Sequence, residues 1–189
     1  MSIPESNKKY TYNDYLTWPE DERWEIIDGV PFMQSAPSWQ HQAILSELHR
    51  QFANYSLNSP CRAFVSPFDV RLPDLEENDE DVTTVAQPDL TVICDSSRLQ
   101  GTGYYGTPTL VIGITSPTTG KMDKLYKFNK YEEAGVKEYW IVEPEPKIVS
   151  VFVLQKNQRY GRPDVYPEDA KILVSTFPDL TIDLKPVFK

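Results

Sequence analysis

A chain of 189 residues with 40% hydrophobic content and a formal net charge of −9 is long enough to bury one core and short for two, so a single domain over residues 1–189 is expected. The polar start, Met1 to Asn13, holds no signal-peptide core and no later run reaches membrane-spanning length, which points to the cytoplasm. Cys61 and Cys94 match neither a zinc spacing nor a disulfide framework, so both are expected as reduced thiols in or near strands.

A net negative charge works against nucleic-acid binding, which depends on Lys and Arg displacing cations from phosphate. The charge is unevenly spread, however. Asp74 to Asp81 reads DLEENDED, six acids and no base, and the remainder carries only −3. Such a run is expected to be a solvated loop, and the overall charge therefore leaves a DNA substrate open.

In chain order, Thr11 can cap a short helix that ends before Pro19, with Asp14 in the first turn where the helix dipole favours an acid. Arg23 to Ile27 and Val30 to Gln34 flank Asp28-Gly29, a dipeptide suited to a tight hairpin. Ser38 can cap the next helix, whose Ile44, Leu48, Phe52 and Tyr55 form one apolar stripe. Phe64, Phe68, Val70 and Leu72 interleave with Asp69 and Arg71, the pattern of a strand ending at Pro73.

Asp89 to Cys94 and Leu110 to Thr115 are short apolar runs suited to buried central strands, separated by a loop around Gly101, Gly103 and Gly106. Thr118 or Thr119 can open a helix with Met122, Leu125, Phe128 and Tyr131 on its inner face and Gly135 as its stop. Lys137 to Val142, Ile148 to Leu154, Lys171 to Thr176 and Leu180 to Leu184 are β-prone. The expected class is α/β, a mixed sheet flanked by helices.

Glu25, Asp69 and Asp89 lie on or beside expected strands, and a buried carboxylate needs a cation or hydrogen bonds to offset its desolvation. Gathered together they would suit a divalent metal, since magnesium accepts a few carboxylate oxygens and completes its shell with carbonyls and water. Separately, each reads equally well as a strand-edge acid paired with Arg or Lys. Glu25 and Asp69 could also form a hydrolytic acid/base pair.

The order of motifs is more specific than any one acid. RWEIIDGVPFM (23–33), HQAILSELHRQF (41–52), Gln87-Pro88-Asp89-Leu90 and the run from Thr109 to Pro144, TLVIGITSPTTGKMDKLYKFNKYEEAGVKEYWIVEP, together resemble the Uma family of restriction-endonuclease-like proteins, a branch of the PD-(D/E)xK nuclease superfamily. The resemblance covers roughly residues 10–185. It implies a restriction-endonuclease-like fold and a DNA endonuclease using Mg²⁺ or Mn²⁺, with dimerisation by analogy. Asp89 would be the Pro-Asp aspartate that bridges metal and scissile phosphate, and Glu25 would lie near the site from the hairpin.

The family's next strand carries a glutamate three positions before its Ser-Pro, and Gly113 stands there in this chain. That ligand position is vacated, and Asp69, Glu25 or a backbone oxygen near Ile114 would have to supply the missing donor. Thr115 occupies the superfamily's lysine position, while Lys127 matches the family lysine on the following helix and is the expected catalytic cation. Lys121 and Lys124 recur at its spacing and either track a phosphate backbone or form a solvated helix face. His41 points inward with Ile44 and Leu48, as a neutral histidine bonded to a carboxylate, as an outer partner of Glu25 or as a general base. Tyr126 and Tyr131 are expected to pack in or beside the core rather than to stack on bases. An active endonuclease and a silent nuclease fold that binds DNA or protein both remain open at Gly113.

Overall fold

A computed structural model describes residues 8–73, 78–116 and 122–189, leaving aside the side chains of 122 and 123. Residues 74–77 of the acidic run, Thr118, Thr119 and Lys121 lie outside the described residues.

Thr11 precedes helix α1 (Tyr12–Tyr15), and its backbone N–H donates to Asp14 Oδ2 at 3.0 Å. Strands β1 (Trp24–Ile27) and β2 (Val30–Met33) form the expected hairpin. Asp28 and Gly29 take φ of 53° and 79°, the left-handed pair that a two-residue turn requires. Ser38 Oγ caps α2 (Trp39–Ser56) by accepting from the His41 amide, and Ile44, Leu45, Leu48 and Phe52 are buried along one side.

The strand expected to run to Pro73 is two strands in two sheets. Strand β3 (Arg62–Val65) and β4 (Asp69–Arg71) are separated at Ser66-Pro67, where proline lacks the N–H that a continuous ladder needs. Asp69 and Arg71 are both buried. Strand β4 lies between two neighbours, and Arg71 is buried against Asp79 and the Tyr12 ring. Part of the acidic run is thereby tied to the core.

After β5 (Val85–Ala86) and β6 (Leu90–Ile93), the glycine-containing segment forms β7 (Leu99–Gln100) and β8 (Gly103–Tyr105) where a loop is expected from its glycines. Strand β9 (Leu110–Ile114) pairs antiparallel with β6 and parallel with β10 (Glu138–Glu143). Strands β11 (Ile148–Val153) and β12 (Asp164–Pro167) extend the same sheet, whose order is β12-β11-β10-β9-β6-β3. The other large sheet has the order β2-β1-β5-β4-β8-β7, while β13 (Lys171–Leu173) pairs with β14 (Thr181–Asp183).

Strands β9 and β10 hold the two sides together because both of their faces are covered. Leu110, Ile112, Ile114, Trp140 and Val142 pack in the cluster containing α2 and the C-terminal strands. Val111, Tyr139 and Ile141, one residue out of step, pack with Ile27, Val70 and Tyr131. This is the period-two alternation of a strand buried on both faces. The result is a mixed α/β architecture.

Two expectations need correction. Cys61 and Cys94 are joined by a disulfide: the antiparallel register pairs Arg62 with Ile93, and the next step brings the cysteines opposite each other. Their sequence separation of 33 concealed a cross-strand neighbourhood. Leu125, expected on an inner helix face, is 53% exposed. Met122–Lys127 is π-helical before α3 (Phe128–Ala134), so the α-helical spacing used to assign that face does not hold there. Phe128 and Tyr131 do pack inward, and Gly135 ends the helix at φ 81°.

Glu138 begins β10 without any solvent exposure. It accepts from Trp140 Nε1 at 2.8 Å, Thr176 N at 2.8 Å and Thr176 Oγ1 at 2.9 Å, binding the sheet to the C-terminal segment. Glu138→Leu strands these donors and is expected to lower stability by roughly 2–3 kcal/mol, read from urea unfolding; an unchanged midpoint refutes this account.

Candidate functional site

A cleft of about 670 Å³ opens where the start of α2, the end of β9 and Lys127 meet the loop before β6. Asp89 stands on its lining. Its Oδ1 lies 2.8 Å from His41 Nε2, and its Oδ2 accepts from the Ile114 backbone N–H at 2.6 Å. The Asp89 carbonyl accepts from Ser66 N at 3.1 Å, which fixes the backbone as well. His41 reaches this point because Ser38 starts α2 so that the third helical residue faces the cleft. Its carboxylate partner is thus Asp89 rather than Glu25.

Glu25 is fully buried on β1. Its Oε1 accepts from Gln87 N at 2.6 Å and pairs with Lys127 Nζ at 2.9 Å, while Oε2 accepts from Gln34 Nε2 at 2.7 Å. A buried ion pair offsets its desolvation only when its remaining lone pairs are also met, and these neutral donors meet them. The π-helical segment carries Lys127 to this depth, leaving it buried at the cleft wall.

Among the described residues Asp69 is held by neutral donors: Tyr15 OH at 2.9 Å, Gln87 Nε2 at 2.9 Å and Thr102 Oγ1 at 2.8 Å. Burial, followed by the charge and hydrogen bond of Asp69, pushes the Tyr15 hydroxyl well above its ordinary pKa, so it remains a donor. Gln87 joins the two carboxylate groups, its backbone serving Glu25 and its side chain serving Asp69.

Asp89, His41 and Lys127 therefore share one cleft, with Glu25 behind Lys127. Neither Glu25 nor Asp69 is on the lining, so the proposed acid/base pair does not face it. Lys124 projects from the surface to pair with Glu143. Gly113 is buried in β9, beside Ile141 of β10, and the amide that follows it serves Asp89. Sequence reasoning missed Arg23, Gln34, Trp39 and Gln87, all on the lining. A signal existed for two of them: Arg23 is two residues from Glu25, and Gln87 two from Asp89, on the same side of an extended chain.

Among the described residues no group of three or more His, Cys, Asp and Glu is arranged to hold a metal. The cleft offers Asp89 as its hard-oxygen ligand near the vacated position. That donor fits a loosely held magnesium or manganese ion, because magnesium binds through as few as one carboxylate together with substrate phosphate and retained waters.

The profile of the Uma2 family, described as putative restriction endonuclease, matches residues 12–185. An uncharacterized protein of Synechocystis sp. is 28% identical over 125 residues, 65% of this chain and 62% of that protein. The match thus spans less than two thirds of that relative's length. A crystal structure of a putative nuclease belonging to DUF820 from Anabaena variabilis superposes with a TM-score of 0.76 at 21% identity, covering 95% of this chain and 97% of the other. At that identity the likeness establishes the fold.

Lys127→Met leaves Glu25 buried without its cation, for which a loss of about 3–5 kcal/mol is expected by urea or thermal unfolding. The double variant Glu25→Gln/Lys127→Met should recover part of it. A single variant as stable as the parent contradicts the buried pair.

Proposed function

The chain belongs to the Uma2 family, and from that premise we propose that it is a metal-dependent DNA endonuclease built as one domain. The observation that carries this reading is the convergence of Asp89, His41 and Lys127 on one cleft. Asp89 would hold magnesium or manganese, and the ion when bound supplies Lewis-acid polarisation of a phosphoryl oxygen.

The chain's own residues would do the rest. The Ile114 amide and His41 fix the Asp89 carboxylate from two sides, so its orientation is set before substrate arrives. Lys127, anchored by Glu25, places an ammonium where negative charge develops on the phosphate. Gln87, tied to Asp69, would hold Glu25 and the Pro-Asp segment in register. A second copy would let two such sites act on two strands.

A second reading is favoured by Gly113. With the second carboxylate gone and both Asp89 oxygens met by protein groups, the cleft would bind DNA without cutting it. Cleavage of single-stranded, duplex and supercoiled DNA with Mn²⁺ and Mg²⁺ separates the two. The enzyme reading expects cutting by the parent protein and a loss of about 100-fold or more in Asp89→Ala, the scale of removing an electrostatic group from an active site. Cutting by Gly113→Glu alone transfers the conclusion to the second reading. Cutting undiminished in Asp89→Ala removes the site altogether.

A further inference from the structure

Arg23 is a cation on the cleft lining with few bonds inside the protein. Lys127 is paired with Glu25 and Lys147 with Glu168. No carboxylate among the described residues forms a salt bridge with Arg23, its Nη2 donates to Gln87 Oε1 at the long distance of 3.3 Å, and its buried Nε has no hydrogen-bond partner there. A guanidinium presents a planar fork of donors that suits an oxyanion bidentately, and a buried donor left unfilled is costly. The Nε is enclosed, so a phosphate oxygen would be met by the part of the guanidinium that lines the cleft.

Trp39 is the second unusual feature. It is 73% exposed at the first position of α2, two residues before His41, and it lines the same cleft. Its indole has neither a ring contact nor a hydrogen-bond partner among the described residues. The lining carries Arg23, Lys127, Lys147 and Lys189 beside Asp89 and Glu145, and of these cations Lys127 and Lys147 are already paired with Glu25 and Glu168. The cleft's volume of about 670 Å³ lies within the roughly 300–1,000 Å³ of sites that enclose small ligands.

We propose that this cleft takes an unpaired nucleotide of single-stranded DNA, with a backbone phosphate on the Arg23 guanidinium and the base stacked on Trp39. The inference rests on the DNA reading above and names the form of the substrate. A base in a duplex has its faces covered by its neighbours and offers none to an indole, whereas an unpaired base stacks on an aromatic ring whatever its identity. Arg23 would fix the strand's register and Trp39 would select for the absence of a complementary strand.

The test is fluorescence anisotropy of labelled dT12 and of a 12-base-pair duplex, with EDTA present so that nothing is cut, on the full chain and on Trp39→Ala, Trp39→Phe, Arg23→Gln and Arg23→Lys. The parent should bind dT12 at least about 10-fold more tightly than the duplex. Trp39→Ala should lose roughly 5- to 100-fold on dT12 and little on the duplex, with Trp39→Phe keeping most of the affinity. Arg23→Gln should weaken dT12 binding and lower the slope of log affinity against log salt by about 0.7, with the charge-conserving Arg23→Lys retaining the slope.

Equal affinity for the two DNAs, or full dT12 affinity in Trp39→Ala, overturns the proposal. Because Trp39 is exposed, its variants test the idea even if an Arg23 variant is unstable. The two readings fail separately: cleavage without a single-strand preference removes this inference alone, and single-strand binding without cleavage supports it while removing the enzyme reading.

Discussion

Gln87 sits where the main demands of the structure meet. Its backbone N–H donates to Glu25, its side-chain amide donates to Asp69 and lies 3.1 Å from the Tyr15 hydroxyl, and its amide oxygen accepts from Arg23. Buried carboxylates are tolerable only when their lone pairs are met, and one residue helps meet those of two. Pro88 and Asp89 follow directly, so the bonds that keep Glu25 and Asp69 satisfied also set where the chain delivers its cleft aspartate. The first sheet, through β1, β4 and β5, is in this sense the foundation for a side chain that belongs to the second.

That arrangement explains why acids expected as one cluster divide into different roles. Asp69 is enclosed by hydroxyl and amide donors, Glu25 is neutralised by Lys127, and Asp89 faces the cleft. Gly113 adds to the division. A carboxylate there would have stood next to the amide that now holds Asp89, and with glycine the aspartate is steadied by the Ile114 N–H and His41 instead.

Local chemistry was legible where it acts over a few residues. Asp28-Gly29 announced the hairpin, Ser38 the start of α2, and the apolar runs Asp89 to Cys94 and Leu110 to Thr115 the central strands at Leu90–Ile93 and Leu110–Ile114. The family's motif order added the fold and drew attention to Asp89 and Lys127. What escaped depends on partners distant in sequence. The Cys61–Cys94 bond follows from the register of β3 against β6, the division of the strand at Pro67 from which sheet each half joins, and the burial of Arg71 from Asp79 and Tyr12. Arg23 and Trp39 looked ordinary because their distinction lies in bonds they do not make.

The π-helical segment Met122–Lys127 changes what it means for a lysine to serve the site from a helix. A residue on a strand has two directions available, one for each face, and a slip of one place sends it to the wrong side. A residue on a helix is rotated by about 100° for each position gained or lost. A wider turn just before α3 offers a rotational adjustment finer than any strand permits, without moving the helix that follows. A charge carried on such a mounting can be re-aimed by a single insertion or deletion, which gives this scaffold a route for relocating its cation that leaves the central sheet untouched.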